Sequence, residues 1–344
     1  MKQAAIIYGG QSPEHEVSLR SAINALKLIE KVEAAPVMLI RISFEGTWSL
    51  TQNISDEESG TKLAVIPGIG ISVSDSQSLL DISLAYLFVH GTNCEDGTLQ
   101  SILLSAGIPY TGSEVLSSAL CMSKSATISV VGTLANSVPR ICADKAPCPS
   151  DLRAIPFPLI VKPEASGSSV GITIIHENSQ KLISKAFEAA SRFSPIVIFE
   201  QFLQNCREFE CGIVENDEVA QALRVCELSR HGSFLSYDDK YHHGGDYVIC
   251  PADIDECLEK EIQSTAIKIF RRLGCSGYAR VDFLFDTEHE KLFFNEVNTL
   301  PGFTQSSHFP KMLQASGVTG ESFIHDIREI ALKNNRSFSL HSGR

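Results

Sequence analysis

Two short stretches of the chain carry charged and amide side chains at a spacing that gathers them. Residues 278–285 and 291–298 each read as a strand, with a turn-like 286–290 between them. Side chains two apart on a strand share a face. Arg280 and Asp282 therefore point the same way, as do Glu296 and Asn298. Asp282, Glu296 and Asn298 offer hard oxygen donors of the kind Mg²⁺ takes, and too few of them for a closed calcium cage. Arg280 beside the carboxylates and Leu300-Pro301-Gly302 directly after them favour a site over the bland alternative, an edge hairpin with solvated charges.

A second group stands earlier in the chain. Lys162 ends a strand-like run at 158–162, and Glu164-Ala165-Ser166-Gly167-Ser168-Ser169 separates it from another at 171–175. Small residues let backbone N–H groups and hydroxyls close on a phosphate, and Lys162 adds positive charge. No Gly-Lys-Ser/Thr opens a helix, so the loop is not of the Walker type. Taken alone, a hairpin with no ligand fits it as well.

The elements that must position these groups follow from periodicity. Strands are expected at 4–8, 37–42, 47–50 and 84–89, with helices at 16–29 and 97–106. That order predicts an α/β fold that begins with an open, mostly parallel sheet. A loop-rich middle follows, broken by Pro139, Pro147, Pro149, Pro156 and Pro158, then a helix at 179–192 and a strand at 196–200. Strands at 207–214, 219–226 and 234–237 and a long helix at 252–274 precede the charged hairpin. Residues 335–344 lack an apolar face and read as a frayed tail.

The formal net charge of −12 argues against a general nucleic-acid or anionic-membrane surface. No apolar run approaches the length of a membrane span, and the N-terminal apolar run is too short for a signal peptide. A cytoplasmic protein is expected. The ten cysteines form no Cys-x-x-Cys pair, so zinc is not indicated and thiols throughout are expected.

Six ordered motifs together resemble the D-alanine–D-alanine ligases of the ATP-grasp superfamily. Gly9-Gly10-Gln11-Ser12-Pro13-Glu14-His15-Glu16-Val17-Ser18 is similar to the family's G-G-x-S-x-E-x-E-V-S. The others are His90-Gly91 with Glu95-Asp96-Gly97, Lys162-Pro163 with Gly167-Ser168-Ser169-Val170-Gly171, Lys240-Tyr241, residues 277–282, and residues 295–302. The resemblance covers nearly the whole chain. It implies a three-domain ATP-grasp fold with boundaries at 1–112, 113–200 and 201–344, and the joining of two D-alanines through an acyl phosphate for peptidoglycan precursors.

The roles it implies are specific. ATP lies between the second and third domains, its phosphates held by Lys124, Lys162 and Ser169. Glu200 meets the adenine amino group, the backbone of Gln201 and Leu203 the ring edge, and Glu208 the ribose. Two Mg²⁺, for which Mn²⁺ can substitute, sit on Asp282, Glu296 and Asn298. Glu16 takes the first ammonium and His90 lies near that substrate. Ser168, Tyr241 and Glu16 form one hydrogen-bonded chain, with Lys240 on the same loop as Tyr241. Arg280 and the N–H of Gly302 stabilise the oxyanion, and Ser307 receives the second carboxylate. A homodimer is implied; a further alternative makes the chain a segment of a longer polypeptide that carries another cell-wall enzyme.

Departures from the family pattern stand at Thr92-Asn93-Cys94, at His242-His243-Gly244-Gly245 and at Leu300. No residue is assigned as base for the attacking amine. A ligase making D-alanyl-D-lactate or D-alanyl-D-serine is the nearest rival, and the retained Lys240-Tyr241 pair favours the amine acceptor. A nucleotide-binding module without chemistry is the more distant rival, and it would have no need of an oxyanion group.

Overall fold

The computed structural model describes residues 2–55, 60–167, 170–217, 219–229 and 248–341. The first sheet holds β1 (Gln3–Gly9), β2 (Met38–Ile42), β3 (Trp48–Thr51), β4 (Thr61–Ile66), β5 (Gly70–Val73) and β6 (Ile82–Val89). Their order is β5-β4-β3-β2-β1-β6. The expected parallel part is β2-β1-β6. Outward from β2 the pairing turns antiparallel. Connections explain the change: helix α1 (His15–Val32) crosses from β1 to β2, whereas the turn at 43–47 allows only a hairpin. β4 and β5 carry no strong alternation and were not anticipated.

Gly9 and Gly10 have φ of +89° and +108°. A Cβ on Gly9 would lie 2.1 Å from the Ile42 carbonyl oxygen, so only glycine lets β1 turn here into α1. That turn sets the start of α1 at the carboxyl ends of the parallel strands, where open α/β sheets place their ligands.

Helices α2 (Thr98–Ser105), α3 (Val115–Met122) and α4 (Lys124–Val131) lead into the second sheet. It contains β7 (Arg140–Ala143), β8 (Leu159–Pro163), β9 (Thr173–Ile175) and β10 (Val197–Gln201), all antiparallel, in the order β7-β10-β8-β9. Leu159, Val161, Val197 and Phe199 bury one face against Ile183, Ala186 and Ala190 of α5 (Gln180–Ala190). Strand alternation sends Arg140, Lys162, Ile198 and Glu200 to the other face.

The third sheet is β14-β13-β11-β15-β16, with β12 also paired to β11. These strands are β11 (Cys206–Asn216), β12 (Val219–Ala222), β13 (Cys226–Leu228), β14 (Val248–Ile249), β15 (Tyr278–Asp286) and β16 (Lys291–Asn298). The single strand expected at 219–226 is thus two short ones. Helix α6 (Glu256–Arg272) packs Ile262, Ala266, Ile269 and Phe270 on this sheet. It begins at 256 because Asp255 Oδ1 accepts from the Leu258 N–H at 2.9 Å, an N-cap that the periodicity did not reveal.

α7 (His308–Ala315) and α8 (Gly320–His341) close the chain. The frayed tail expected at 335–344 is instead helix as far as His341. Phe303, Phe309, Phe323, Ile324 and Ile327 join the core of the first sheet, and Phe303 packs on Phe88 with ring centroids 5.3 Å apart. The first and last units therefore share one core. Among the described residues no single helix is long and apolar enough to cross a membrane.

Thiols throughout were expected, but a disulfide joins Cys226 and Cys250. Antiparallel pairing of β13 with β14 sets Glu227 opposite Ile249, and the next pair outward is these two cysteines. The strand expected at 234–237 lies outside the described residues.

Candidate active site

Three parts of the chain meet at one cleft. Glu14 and His90 come from the end of the first sheet, and Lys124 and Gly167 from the middle unit. Arg280, Glu296, Asn298, Gly302, Ser307 and His308 come from the last.

The charged hairpin has the expected arrangement. Asp282 lies opposite Glu296 and Arg280 opposite Asn298, with a register shift just after Asp282. Arg280 Nε and Nη2 donate to the two Asp282 oxygens at 2.8 and 2.7 Å, and Asn298 Nδ2 donates to Asp282 Oδ2 at 3.1 Å. Arg280 Nη2 also stands 3.3 Å from Glu210 Oε1. Burial works against the Arg280 charge, but Asp282 and Glu210 outweigh it and raise its pKa well above the ordinary value. Burial pushes the Asp282 carboxyl up to about 7; Arg280 pulls it down, while Glu210 and Glu296 add to the rise.

Sequence reasoning missed Glu210 and His308. Glu210 Oε2 lies 2.6 Å from His308 Nδ1, so one buried carboxylate links Arg280 to the first turn of α7. The only available signal was Glu208-x-Glu210 at strand spacing, which pairs Glu210 with Asp282 across β11 and β15. Glu208 is half-buried on β11.

The Gly/Ser loop that begins at Glu164 is tied down at its start. Glu164, also unforeseen, accepts from Ser123 Oγ at 2.5 Å, from the Ser125 N–H at 3.1 Å and from Ser125 Oγ at 2.6 Å. Lys124 Nζ donates to the Ser166 carbonyl at 2.7 Å and lies 3.3 Å from Glu296 Oε2, so it bridges the loop to the hairpin. Lys162 Nζ reaches Glu200 Oε1 at 3.1 Å on the face of the second sheet opposite α5, where both side chains are buried. The Gln201 N–H donates to the Pro139 carbonyl at 3.0 Å, which commits one of the backbone groups expected at a ring edge. Leu203 is buried against Val138 and Phe293. Ser168, Ser169, Lys240 and Tyr241 lie outside the described residues.

The substrate side differs from expectation at one position. Glu16 is exposed, and Glu14 lines the cleft instead. Residues two apart near a helix start project about 200° apart, so the two carboxylates cannot face one site. A Cβ built on Gly167 would lie 3.2 Å from Glu14 Oε2, which places that carboxylate against the Gly/Ser loop. His90 lines the cleft with both ring nitrogens engaged. Its Nδ1 lies 2.9 Å from the Leu300 carbonyl and its Nε2 2.9 Å from Ser21 Oγ, which also accepts from the Phe303 N–H. A carbonyl only accepts, so Nδ1 carries the proton, and burial lowers the pKa of the ring. His90 thus holds the 300–303 turn. In that turn, a Cβ on Gly302 would stand 2.9 Å from Ser307 Oγ, which in turn accepts from the Thr304 N–H at 3.0 Å. Glycine at 302 leaves the backbone uncovered beside that hydroxyl.

Glu95 supports the same turn. Its oxygens accept from the N–H groups of Gly91 at 2.7 Å and Leu300 at 3.1 Å. Burial, with Glu14 adding, pushes its pKa up to about 8. In the unfolded chain a glutamate titrates near 4.3. Between those values the folded state binds more protons, so this group's contribution to stability falls as pH rises from about 4.5 to 8. Asp282 has the same sign. Chemical denaturation of the ligand-free protein is expected to give lower stability at pH 8 than at pH 5.5, and Glu95→Gln is expected to reduce that slope. An unchanged slope in the variant would remove Glu95 from this account.

Family models decide what this cleft is related to. The model of the D-ala D-ala ligase N-terminus matches residues 3–113, and that of the D-ala D-ala ligase C-terminus matches 141–329. The chain belongs to the D-alanine–D-alanine ligase family. Within it, D-alanine–D-alanine ligase B of Clostridium tetani is 37% identical over 96% of this chain and 93% of its own. D-alanine–D-alanine ligase A of Escherichia coli K12 is 36% identical over 97% and 96%. Among solved structures, the D-alanine–D-alanine ligase of Coxiella burnetii superposes with a TM-score of 0.82 at 28% identity, over 98% of this chain and 96% of that one. The VanG D-Ala:D-Ser ligase of Enterococcus faecalis superposes at 0.83 with 31% identity, over 96% and 99%. The ligase-family cleft is therefore lined from all three units.

Proposed function

We propose that this cleft joins two D-alanines into D-alanyl-D-alanine, for peptidoglycan precursors, at the expense of ATP. The chain is an ADP-forming ligase. A carboxylate oxygen of the first D-alanine attacks the γ-phosphorus and the bond to ADP breaks, giving an acyl phosphate. The amine of the second, as its free base, attacks the acyl carbon; a C–N bond forms, one amine proton is released, and phosphate leaves with the electron pair of its C–O bond.

The observation that carries the reading is the convergence of Arg280, Gly302 and Ser307 with Lys124 and Glu14 in one cleft. Charge develops on the carbonyl oxygen as the amine attacks. A fixed guanidinium and a backbone N–H at that point stabilise it without reorganising, which is usually a large term in acyl transfer. Glu14 pairs with the first ammonium, and Ser307 meets the second carboxylate. Lys124 and Lys162 hold the phosphates, and the Glu200 side of β10 takes the adenine. The roles of Ser168, Ser169, Lys240 and Tyr241 rest on the resemblance.

The donor set fits Mg²⁺. Among the described residues no three His, Cys, Asp or Glu side chains converge tightly enough to hold a metal alone. Asp282, Glu296 and the Asn298 amide are nonetheless neighbours on one hairpin, and Mg²⁺ takes one or two carboxylates together with phosphate oxygens. Bound there, Mg²⁺ would neutralise charge on the phosphoryl group. The cytoplasm, where ATP is supplied, is the place for such an enzyme. A homodimer is part of this reading on the resemblance alone, and sedimentation tests it.

The choice of second substrate is tested by ADP release with D-alanine as donor and D-alanine, D-serine or D-lactate as acceptor. D-Alanine is expected to be used fastest, with one dipeptide per ADP. Faster use of D-serine, the substrate in the name of the VanG neighbour, or of D-lactate would overturn that choice.

A further inference from the structure

Arg140 is a charged side chain that none of the motifs includes, and it sits at a telling place. It opens β7 directly opposite Glu200 on β10. Its side chain is 10% exposed and that of Glu200 3%, so the pair is withdrawn from solvent. Arg140 Nη2 lies 2.8 Å from Glu200 Oε2, yet the direction is wrong for a hydrogen bond. Among the described residues, Nη1 and Nη2 of Arg140 and Oε2 of Glu200 have no hydrogen-bond partner. Arg140 Nε donates to the Val138 carbonyl at 3.3 Å. The other Glu200 oxygen is taken by Lys162.

Buried polar atoms short of hydrogen bonds are costly and call for an explanation, of which a bound group is one. What this group offers is a donor beside an acceptor. An adenine edge presents the complement, the N6 amino group as donor next to N7 as acceptor, whereas guanine presents two acceptors, O6 and N7. A guanine would set its O6 against the Glu200 carboxylate. The two cations on Glu200 also divide their work. When Lys162 leaves for a phosphate, Arg140 keeps the buried carboxylate charged and paired.

We propose that Arg140 reads the purine edge together with Glu200 and so sets the preference for adenine over guanine nucleotides. This rests on the reading that Glu200 faces the adenine. As the base enters, Arg140 Nη1 donates to N7 while Nη2 stays beside the Glu200 carboxylate, whose Oε2 accepts from N6.

Calorimetric binding of ADP and GDP to the full chain tests this without catalysis. Wild type is expected to bind ADP at least about tenfold more tightly than GDP, and Arg140→Met to shrink that ratio about tenfold, mainly by weakening ADP. Arg140→Lys keeps the buried charge but not the planar fork, and its ratio is expected between the two. Glu200→Gln is measured alongside. If Glu200→Gln collapses the ratio while Arg140→Met and Arg140→Lys leave it at the wild-type value, Arg140 has no part in base reading. If Glu200→Gln also leaves it unchanged, the placement of adenine is wrong and the proposal falls with it. Should Arg140→Met fail to fold, the ratio for Arg140→Lys decides: a wild-type value overturns the proposal.

Discussion

Arg280→Ala is expected to abolish dipeptide synthesis, with a loss of about 10³ or more in kcat. Removing one oxyanion donor typically costs 10²–10³ in rate, and here the donor is charged and holds other groups in place. It binds both Asp282 oxygens and stands against Glu210, which holds His308. Its loss leaves two buried carboxylates without their cation, a change that commonly costs about 3–5 kcal/mol of stability. Arg280→Lys separates the effects. It retains a charge for Glu210 and Asp282 but cannot hold a carboxylate bidentately. The lysine variant is expected to fold, to bind ATP nearly as wild type does, and still to lose about 10² in kcat. A folded lysine or alanine variant within a few-fold of wild-type turnover would mean that Arg280 does not serve the transition state.

Glu14→Gln is expected to lower kcat/KM for D-alanine roughly 10- to 100-fold, the worth of a hydrogen bond to a charged group, while Glu16→Gln stays near wild type. Glu14 lines the cleft beside Gly167, whereas Glu16 is exposed on the first turn of α1. The loss in Glu14→Gln should fall on the first D-alanine, with the KM for ATP little changed. Steady-state rates at varied D-alanine for both variants give the answer. A reversed order, with Glu16→Gln the damaged variant, would restore the motif's second glutamate as the substrate carboxylate.

That pair shows how far the sequence could be read. The motif put a carboxylate at the start of α1, and the glycine pair before it is why the helix begins at the sheet's end. Which of two glutamates faces the cleft depends on helical phase at an N-terminus, which two residues of spacing do not fix. The hairpin was legible because period-two spacing is a local property: Arg280, Asp282, Glu296 and Asn298 fell on one face as expected. Glu210, His308, Glu164 and Arg140 were not legible. Each matters through a partner 39 to 98 residues away, as in Glu164 with Ser125 and Glu210 with His308, and one sequence carries no record of such pairings. The shared core of the first and last units was hidden for the same reason. Phe303 and Phe323 read as local apolar positions, and only the return of the chain onto Phe88 and α1 gives them their role. The disulfide was missed because compartment argues about cysteines in general, whereas the pairing of β13 with β14 sets these two side by side.

The central claim is that the cleft activates a carboxylate as an acyl phosphate. D-Alanine carrying ¹⁸O in both carboxyl oxygens tests it most directly. The attacking oxygen stays on phosphorus when the amine displaces phosphate, so the phosphate released with each dipeptide is expected to hold one ¹⁸O. Mass spectrometry of that phosphate after complete turnover reads the outcome. Phosphate without label, released in step with dipeptide, would show that the carboxylate never bonded to phosphorus and would contradict the account.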